Sequence, residues 1–291
     1  GTQIYYSLEV TKFIKERSSV PVVWGGMHPT LEGAQTIAKP YIDFAIRGEG
    51  EEAFRMLTEQ LSEKSTSFDG VPGLLWKQQG RILGTNMADP IELDDSPPLP
   101  WHLLDVEEYT SPSQYAYPGI KRLLPFQGSR GCPFKCTFCS EPALTKKFRM
   151  MSVKKIVEEC LETTQRYQLD HIVFYDEEFF VNQKWATELA TAINGQFTWT
   201  VQTRAADLLR VNLPQMERCG LTVLAPGLES GSDRMLKYMK KGETVAEYKE
   251  ANRRLSETGI RLQYNFIVGF PTETRKEVVE SVDLILHLIS S

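Results

Sequence analysis

From residue 124 onward, short apolar runs alternate with helical periodicities, and this alternation limits the fold more than any other feature of the chain. The candidate strands are 124–128, 171–175, 197–202, 221–228 and 261–268, and a helical pattern follows each. Strands joined through helices run parallel, because a crossover returns the chain to the same end of the sheet. Five such units in roughly 170 residues make a partial β/α barrel, since a full eight-unit barrel takes about 250. In the first helix Val153, Ile156, Val157, Cys160 and Leu161 share one face behind the N-cap candidate Ser152. A second helix is expected from cap Asn182 to Gly195, with Ala186, Leu189 and Ile193 inward. Thr244 with Glu247 and Thr274 with Glu277 spell capping boxes. Gly259 is predicted to close a helix in the left-handed region, and Val278, Val282, Ile285 and Ile289 to form the inward stripe of the last helix.

The amino-terminal part carries a weaker version of the same pattern. Val20-Pro21-Val22-Val23-Trp24 precedes Gly25-Gly26, and the run 41–46 precedes Gly48-Glu49-Gly50-Glu51. Helical periodicity then holds from about 52 to 61. Between 86 and 100, Pro90, Pro97, Pro98 and Pro100 surround Glu92, Asp94 and Asp95, a composition suited to an extended connector. The expected organisation is a first α/β domain over 1–85, a Pro-rich linker over 86–124 and the partial barrel over 125–291. The chain opens at Gly1 beside a helical pattern and stops at Ser291 in or at the close of another, so it reads as a piece of something larger.

Bulk properties exclude several classes. The 291 residues are 41% hydrophobic and 24% charged, near globular averages. A net charge of −5 gives no broad basic field, so no nucleic-acid partner is expected. No run approaches the roughly 18–20 apolar residues that span a bilayer, and no signal peptide opens the chain. Five cysteines, two of them far from the other three, do not make a secreted disulfide framework; a reducing cytoplasm is the expected location.

Those other three stand in Gly131-Cys132-Pro133-Phe134-Lys135-Cys136-Thr137-Phe138-Cys139, directly after the first barrel strand. Barrel chemistry gathers at the carboxyl ends of strands, so the loop lies where a site is expected. Three thiolates on one short loop can hold three corners of a cubic iron–sulfur cluster, whereas a closed cluster needs four. The fourth iron is then open to a ligand that is not protein, by the logic that separates catalytic from structural metal sites. Two plainer readings compete. A zinc site wants a fourth ligand, but His102 and His171 lie about 30 residues away on either side. Buried cysteine is also a common small core residue, the natural reading of Cys160 on its helix stripe.

The C-x3-C-x-aromatic-C spacing after the first barrel strand resembles the radical S-adenosylmethionine (SAM) superfamily, over about 125–291. The resemblance implies a [4Fe–4S] cluster on Cys132, Cys136 and Cys139, with the open iron chelated by the amino and carboxylate groups of SAM. The reduced cluster then gives one electron to the sulfonium, the C–S bond breaks, and a 5′-deoxyadenosyl radical forms. It further implies SAM contacts from several segments. Asp176-Glu177-Glu178 ends the second strand, with Glu177 and Glu178 as candidates for the SAM ammonium and Asp176 behind them; a solvated acidic turn is the plain alternative. Gly227-Leu228-Glu229-Ser230-Gly231 ends the fourth strand, where Glu229 and Ser230 would meet the ribose or methionine part, unless this is a turn with an exposed glutamate. Leu236, Met239, Lys240 and Gly242 continue the similarity. Gly269-Phe270-Pro271 is similar to the family's turn near adenine, although glycine and proline punctuate any strand-to-helix turn. Phe138 would stack near adenine or shield the cluster. Gln202 and Arg204 face the same rim, as contacts to substrate or to the SAM carboxylate.

The segment 22–30 with 43–51 resembles the second half of a cobalamin-binding domain, which precedes the barrel in one subgroup of the family. Glycines after a strand of a doubly wound sheet admit a bulky ligand; Gly25, Gly26, His28 and Thr30 are the candidate cobalamin contacts. No Asp-x-His-x-x-Gly motif, whose histidine ligates cobalt in some such domains, occurs here. The resemblance implies cobalamin-dependent methyl transfer to an unactivated carbon of a small-molecule substrate, fed by a low-potential donor such as flavodoxin or ferredoxin. The adenosyl radical removes hydrogen and methylcobalamin delivers the methyl. An oxidative cyclase or rearrangement enzyme with the same start is the first alternative, and a non-catalytic iron–sulfur or zinc module the alternative from another class. A methylthiotransferase fits less well, because no second cysteine triplet lies upstream.

Overall fold

A computed structural model of the chain describes residues 2–112, 119–145 and 147–290; residues 113–118 of the expected linker lie outside the described residues. The chain divides into two compact units, one ending at Ile91 and one beginning at Glu92.

In the first unit α1 (Thr2–Arg17), β1 (Val23–Trp24), α2 (Met27–Leu31), α3 (Gly33–Ile37), β2 (Phe44–Ile46) and α4 (Glu51–Ser62) precede a hairpin of β3 (Leu74–Gln78) and β4 (Arg81–Gly84). The sheet order is β1-β2-β3-β4. β1 and β2 are parallel, as the alternation predicts, while β3 and β4 add antiparallel pairs. The period of two sorts the strand residues by face. Phe44 and Ile46 pack with Ala53 and Leu57 of α4, whereas Ala45 packs with Ile37 of α3 on the other side. Helices therefore cover both faces of the β2 strand, as in a doubly wound layer. The hairpin went unread in the sequence because its turn, Gln79-Gly80, is no common turn pair. Both residues nevertheless take the positive φ (50° and 75°) that a two-residue hairpin demands.

The second unit contains β5 (Leu123–Phe126), β6 (Ser129–Arg130), α5 (Glu141–Leu144), β7 (Arg149–Met150), α6 (Val153–Tyr167), β8 (His171–Phe174) and α7 (Gln183–Ile193). It continues with β9 (Thr198–Arg204), α8 (Ala205–Leu208), α9 (Leu213–Arg218), β10 (Leu221–Glu229), α10 (Asp233–Tyr238) and α11 (Val245–Leu255). β11 (Arg261–Leu262), β12 (Asn265–Phe266) and α12 (Arg275–Ser290) complete it. β5, β8, β9 and β10 are parallel neighbours in chain order, and β10 pairs in parallel with both β11 and β12. This is the partial barrel that the alternation predicts. Its core joins Leu124, Ile172, Phe174, Trp199, Val201 and Leu224 to the inward faces of the helices.

Local signals mostly act as their chemistry requires. The Ser152 hydroxyl accepts from Lys155 N–H, Asn182 accepts from Trp185 N–H, and both capping boxes close reciprocally. Three expectations need correction. The strand predicted over 261–268 is broken into β11 and β12, beside a register shift between Gly227 and Glu229 of β10. Gly259 is not left-handed: α11 ends at Leu255, and Glu217 Oε1, which accepts the Gly259 N–H at 2.8 Å, stands 2.7 Å from where a Cβ would lie, so a side chain there would displace the Glu217 carboxylate. The inward stripe of α12 is Glu277, Ser281, Leu284 and Leu288, rotated from the one predicted. Val282 and Ile289 are 48% and 72% exposed. The apolar pattern misled because two inward positions are polar and bonded: Ser281 Oγ accepts Gly231 N–H at 2.8 Å, and Glu277 binds Arg234.

Candidate active site

The chain leaves β5 through Gly128 and forms the cysteine loop at the carboxyl end of the sheet. Gly131 takes φ +91°, and a Cβ on it would lie 2.8 Å from the Lys147 carbonyl oxygen, so the loop needs glycine there for conformation and space. Two fastenings hold the loop, one to the segment after α10 and one to the end of β9. Thr137 N–H donates to the Met239 carbonyl at 2.9 Å, and the Arg204 guanidinium lies 3.7 Å from the Phe134 ring centroid, a cation–π contact. Cys132, Cys136 and Cys139 are free thiols that wall one cavity of about 220 Å³. Burial pushes the Cys132 thiol up to about 11 and also raises Cys136, against which the Lys241 and Arg204 charges pull. Cys160 and Cys219 are buried in the hydrophobic core, away from the loop's chemistry.

The three consecutive carboxylates after β8 have separate fates. Asp176 is 1% exposed and turns inward, where it accepts from Gly128 N–H at 3.1 Å and from the Ser129 hydroxyl. Burial raises it to about 7. It fixes the turn that launches the cysteine loop and does not line the cavity. Glu177 and Glu178 do line it. Glu177 accepts from Gly131 N–H at 3.1 Å, so it is tied to the loop. Glu178 is 2% exposed; its Oε1 accepts from the Thr203 hydroxyl at 2.9 Å and from Phe180 N–H at 3.3 Å. Burial, with repulsion from Asp207, raises Glu178 to about 8.

Arg204, Lys241 and Glu229, which line the cavity, are joined through Glu243, which does not, into a chain of alternating charge. Arg204 reaches Glu243 at 3.7 Å, Glu243 reaches Lys241 at 3.5 Å, and Lys241 reaches Glu229 at 3.2 Å, all four side chains being buried. Glu229 holds the left-handed φ of +67°, a sparsely populated conformation for a residue with a side chain. Glu243 also accepts the Ala206 N–H at 2.7 Å. Burial raises its carboxyl, and Lys241 is the first charge to oppose that. Gln202 and Asn265 offer amides to the cavity, while Ala225 and Gly227 keep its floor small.

The structure thus brings Phe138, Glu177, Glu178, Gln202 and Glu229 to the cysteines, together with Arg204. It does not bring Ser230 or Gly269 to the cavity wall. The Ser230 hydroxyl accepts Ser232 N–H and faces Ser281, a loop-packing role. Gly269, at φ +87°, donates its N–H to Glu273 and starts the turn that carries Phe270. Lys241, Glu243, Asn265 and Thr203 were missed in the sequence. The similarity covers Lys240 and Gly242, but only ion pairs formed in the fold show that Lys241 is the lysine that turns inward.

A mononuclear ion does not suit this loop: among the described residues no three His, Cys, Asp or Glu side chains converge on one point. A cubane needs no such convergence, since each thiolate takes a different iron, and a three-thiol wall with no fourth cysteine fits it with one iron left open. In the first unit, Gly25 and Gly26 end β1 with nothing within 4 Å of a notional Cβ on either, and Gly26 takes φ +91°. Thr30 Oγ1 donates to the Gly26 carbonyl at 2.7 Å and accepts Gly48 N–H at 2.9 Å, joining the loops after β1 and β2. The His28 ring stands edge-on to Trp24, centroids 6.5 Å apart. The open glycine loop at the end of a parallel strand fits a bulky ligand, and Thr30 shapes that loop.

Comparisons with known proteins agree with this geometry. The sequence profile of the Radical SAM superfamily matches residues 126–285, and that of the B12 binding domain matches 1–58. An uncharacterized methyltransferase of Pyrococcus horikoshii is 31% identical over 289 residues, covering 96% of this chain and 61% of that protein. An anaerobic magnesium-protoporphyrin IX monomethyl ester cyclase of Cereibacter sphaeroides is 30% identical over 269 residues, covering 89% and 43%. The chain therefore spans only part of the length of these relatives. The structure of the radical S-adenosylmethionine methyltransferase TsrM from Kitasatospora setae superposes with a TM-score of 0.78 at 19% identity, over 97% of this chain and 56% of that one, a likeness of fold. With the first profile running from the first barrel strand into the last helix, more than half of the chain, the chain belongs to the radical SAM superfamily.

Proposed function

We propose that the chain is the catalytic part of an enzyme that cleaves SAM reductively at a [4Fe–4S] cluster on Cys132, Cys136 and Cys139, in the service of cobalamin-dependent methyl transfer to an unactivated carbon. The observation that carries this reading is one cavity walled by three free thiols, the carboxylates of Glu177 and Glu178, and the paired charges of Arg204, Lys241 and Glu229. When bound, the cluster supplies one electron to the sulfonium and so opens its C–S bond to a 5′-deoxyadenosyl radical. The protein's own residues do the rest. Burial raises Glu178 to about 8 even with the Arg204 charge pulling it down, and an ammonium beside it favours its ionised form, while Glu177 adds a second acceptor. Lys241 and Arg204 oppose a carboxylate, and the Gln202 and Asn265 amides can pair with hydroxyls. Asp176 and Ser230 act one layer back, by holding the turns. Gly25, Gly26, His28 and Thr30 form the cobalamin loop, and cobalamin when bound supplies the methyl group. A small molecule is the substrate, a low-potential flavodoxin or ferredoxin the reductant, and the cytoplasm the location. No helix among the described residues is long and apolar enough to cross a membrane.

The test is anaerobic reconstitution with iron and sulfide, reduction, and addition of SAM. Wild type should give a cubane EPR signal that changes on SAM binding, and should release 5′-deoxyadenosine; Cys136→Ala should lose both. A reconstituted wild type that makes no 5′-deoxyadenosine rules the reading out. The cyclase relative favours a second reading, oxidative cyclisation from the same radical. Methyl-labelled SAM separates the two, because only methyl transfer carries label into product.

A further inference from the structure

Phe138, the aromatic inside the cysteine triplet, lines the cavity but does not stand alone. Its ring meets Phe270 edge-on, centroids 6.3 Å apart, and Phe270 meets Tyr238 of α10 at 5.8 Å. Phe270 rides on the turn between β12 and α12, and that turn is strained. Thr272 takes φ +70°, where a β-branched residue is an outlier. Such a conformation persists only where its surroundings over-determine it. The source is visible. Arg234 Nη2 donates to the Thr272 carbonyl at 2.8 Å, while Nε and Nη2 make a two-pronged pair with Glu277 at 2.6 and 2.7 Å. Glu277 is a hub: it also accepts from the Ser232 hydroxyl at 3.1 Å and from Thr274 N–H at 2.8 Å. Glu273 closes the turn onto its start by accepting Gly269 N–H at 2.6 Å. Helix α10 thus grips the turn twice, through Arg234 at one end and Tyr238 at the other.

We propose that Arg234 and Glu277 are positioning residues: they latch the 269–274 turn so that Phe270 fixes the Phe138 ring as a wall for the nucleobase of SAM. This rests on the SAM reading above. The T-shaped Phe138–Phe270 pair presents an aromatic surface whose orientation is set from outside the cavity, and a purine stacks on such a surface only when it is held still. Neither Arg234 nor Glu277 lines the cavity, so each acts through Phe270.

The test uses the reconstituted protein. Arg234→Ala and Phe270→Ala should each keep iron content and the reduced-cluster EPR signal, yet weaken SAM binding about tenfold, and the double variant should be little weaker than either alone. Glu277→Gln, which can still cap α12 but lacks the ion pair, should follow Arg234→Ala. Arg234→Lys, keeping charge without the fork, should fall between. SAM affinity in Arg234→Ala within roughly twofold of wild type, or effects that multiply in the double variant, would overturn the proposal. If Arg234→Ala does not fold, Arg234→Lys and Phe270→Ala decide, and unchanged affinity in Phe270→Ala overturns it. Hydrogen exchange at 269–273, faster in Arg234→Ala without any SAM, reports the latch itself. A wild type whose cluster signal ignores SAM would instead remove the reading on which the proposal stands.

Discussion

Neighbouring residues of the same type do different work here, and burial decides which. Asp176, Glu177 and Glu178 are adjacent in sequence, yet one holds a turn and two face the cavity. His171 shows what burial does to stability. It is enclosed between the Thr198 and Thr200 hydroxyls at 2.8 and 2.7 Å, and burial lowers its imidazole to about 4. Below pH 6.5 the unfolded chain takes up a proton there that the folded chain refuses until about 4. Its contribution is therefore complete above pH 6.5 and is lost as pH falls toward 4. Denaturant midpoints at pH 7.5 and 5.0 should show wild type losing about 2 kcal/mol more than His171→Asn. Gly131→Ala tests the cysteine loop. The left-handed φ and the nearby Lys147 carbonyl should cost about 1–3 kcal/mol and lower the iron retained after reconstitution, which chemical iron assay would detect.

At the scale of elements, what could be read was what local chemistry controls. The parallel strands of the second unit, the caps at Ser152, Asn182 and Thr244, and the inward face of α7 all followed from short-range signals. What could not be read depends on partners distant in sequence. The α12 face was misassigned because Glu277 and Ser281 spend their polar atoms on residues 230–234 and so pack inward. Its true register predicts unequal costs. Leu284→Ala and Leu288→Ala should each destabilise by about 2–5 kcal/mol in equilibrium denaturation, whereas Val282→Ala should stay within about 0.5 kcal/mol. Equal losses at Leu284 and Val282 would refute the assigned face. The inward turn of Lys241 and Glu243 was hidden for the same reason: Glu243 meets Arg204 of β9, and Lys241 meets Glu229 at the end of β10, only after folding.

The molecule as a whole carries separate buried clusters in its two units, around Phe44 and Trp76 in the first and around Phe174 and Trp199 in the second. A change confined to the glycine loop of the first should leave the cysteine loop of the second intact. Gly26→Val, a β-branched residue at φ +91°, is expected to abolish the cobalamin absorption spectrum while iron and sulfide content stay at wild-type levels. Parallel loss of both cofactors would show that the loop serves the fold at large.

The row Arg204, Glu243, Lys241 and Glu229 has one more outcome. Two cations and two anions locked together cancel at a distance, so this row itself adds almost no long-range field to draw a charged guest from solution. Whatever Arg204 and Lys241 do for a guest they do at close range, and ionic strength, which screens attraction beyond about 8–10 Å, should hardly alter their part in its capture.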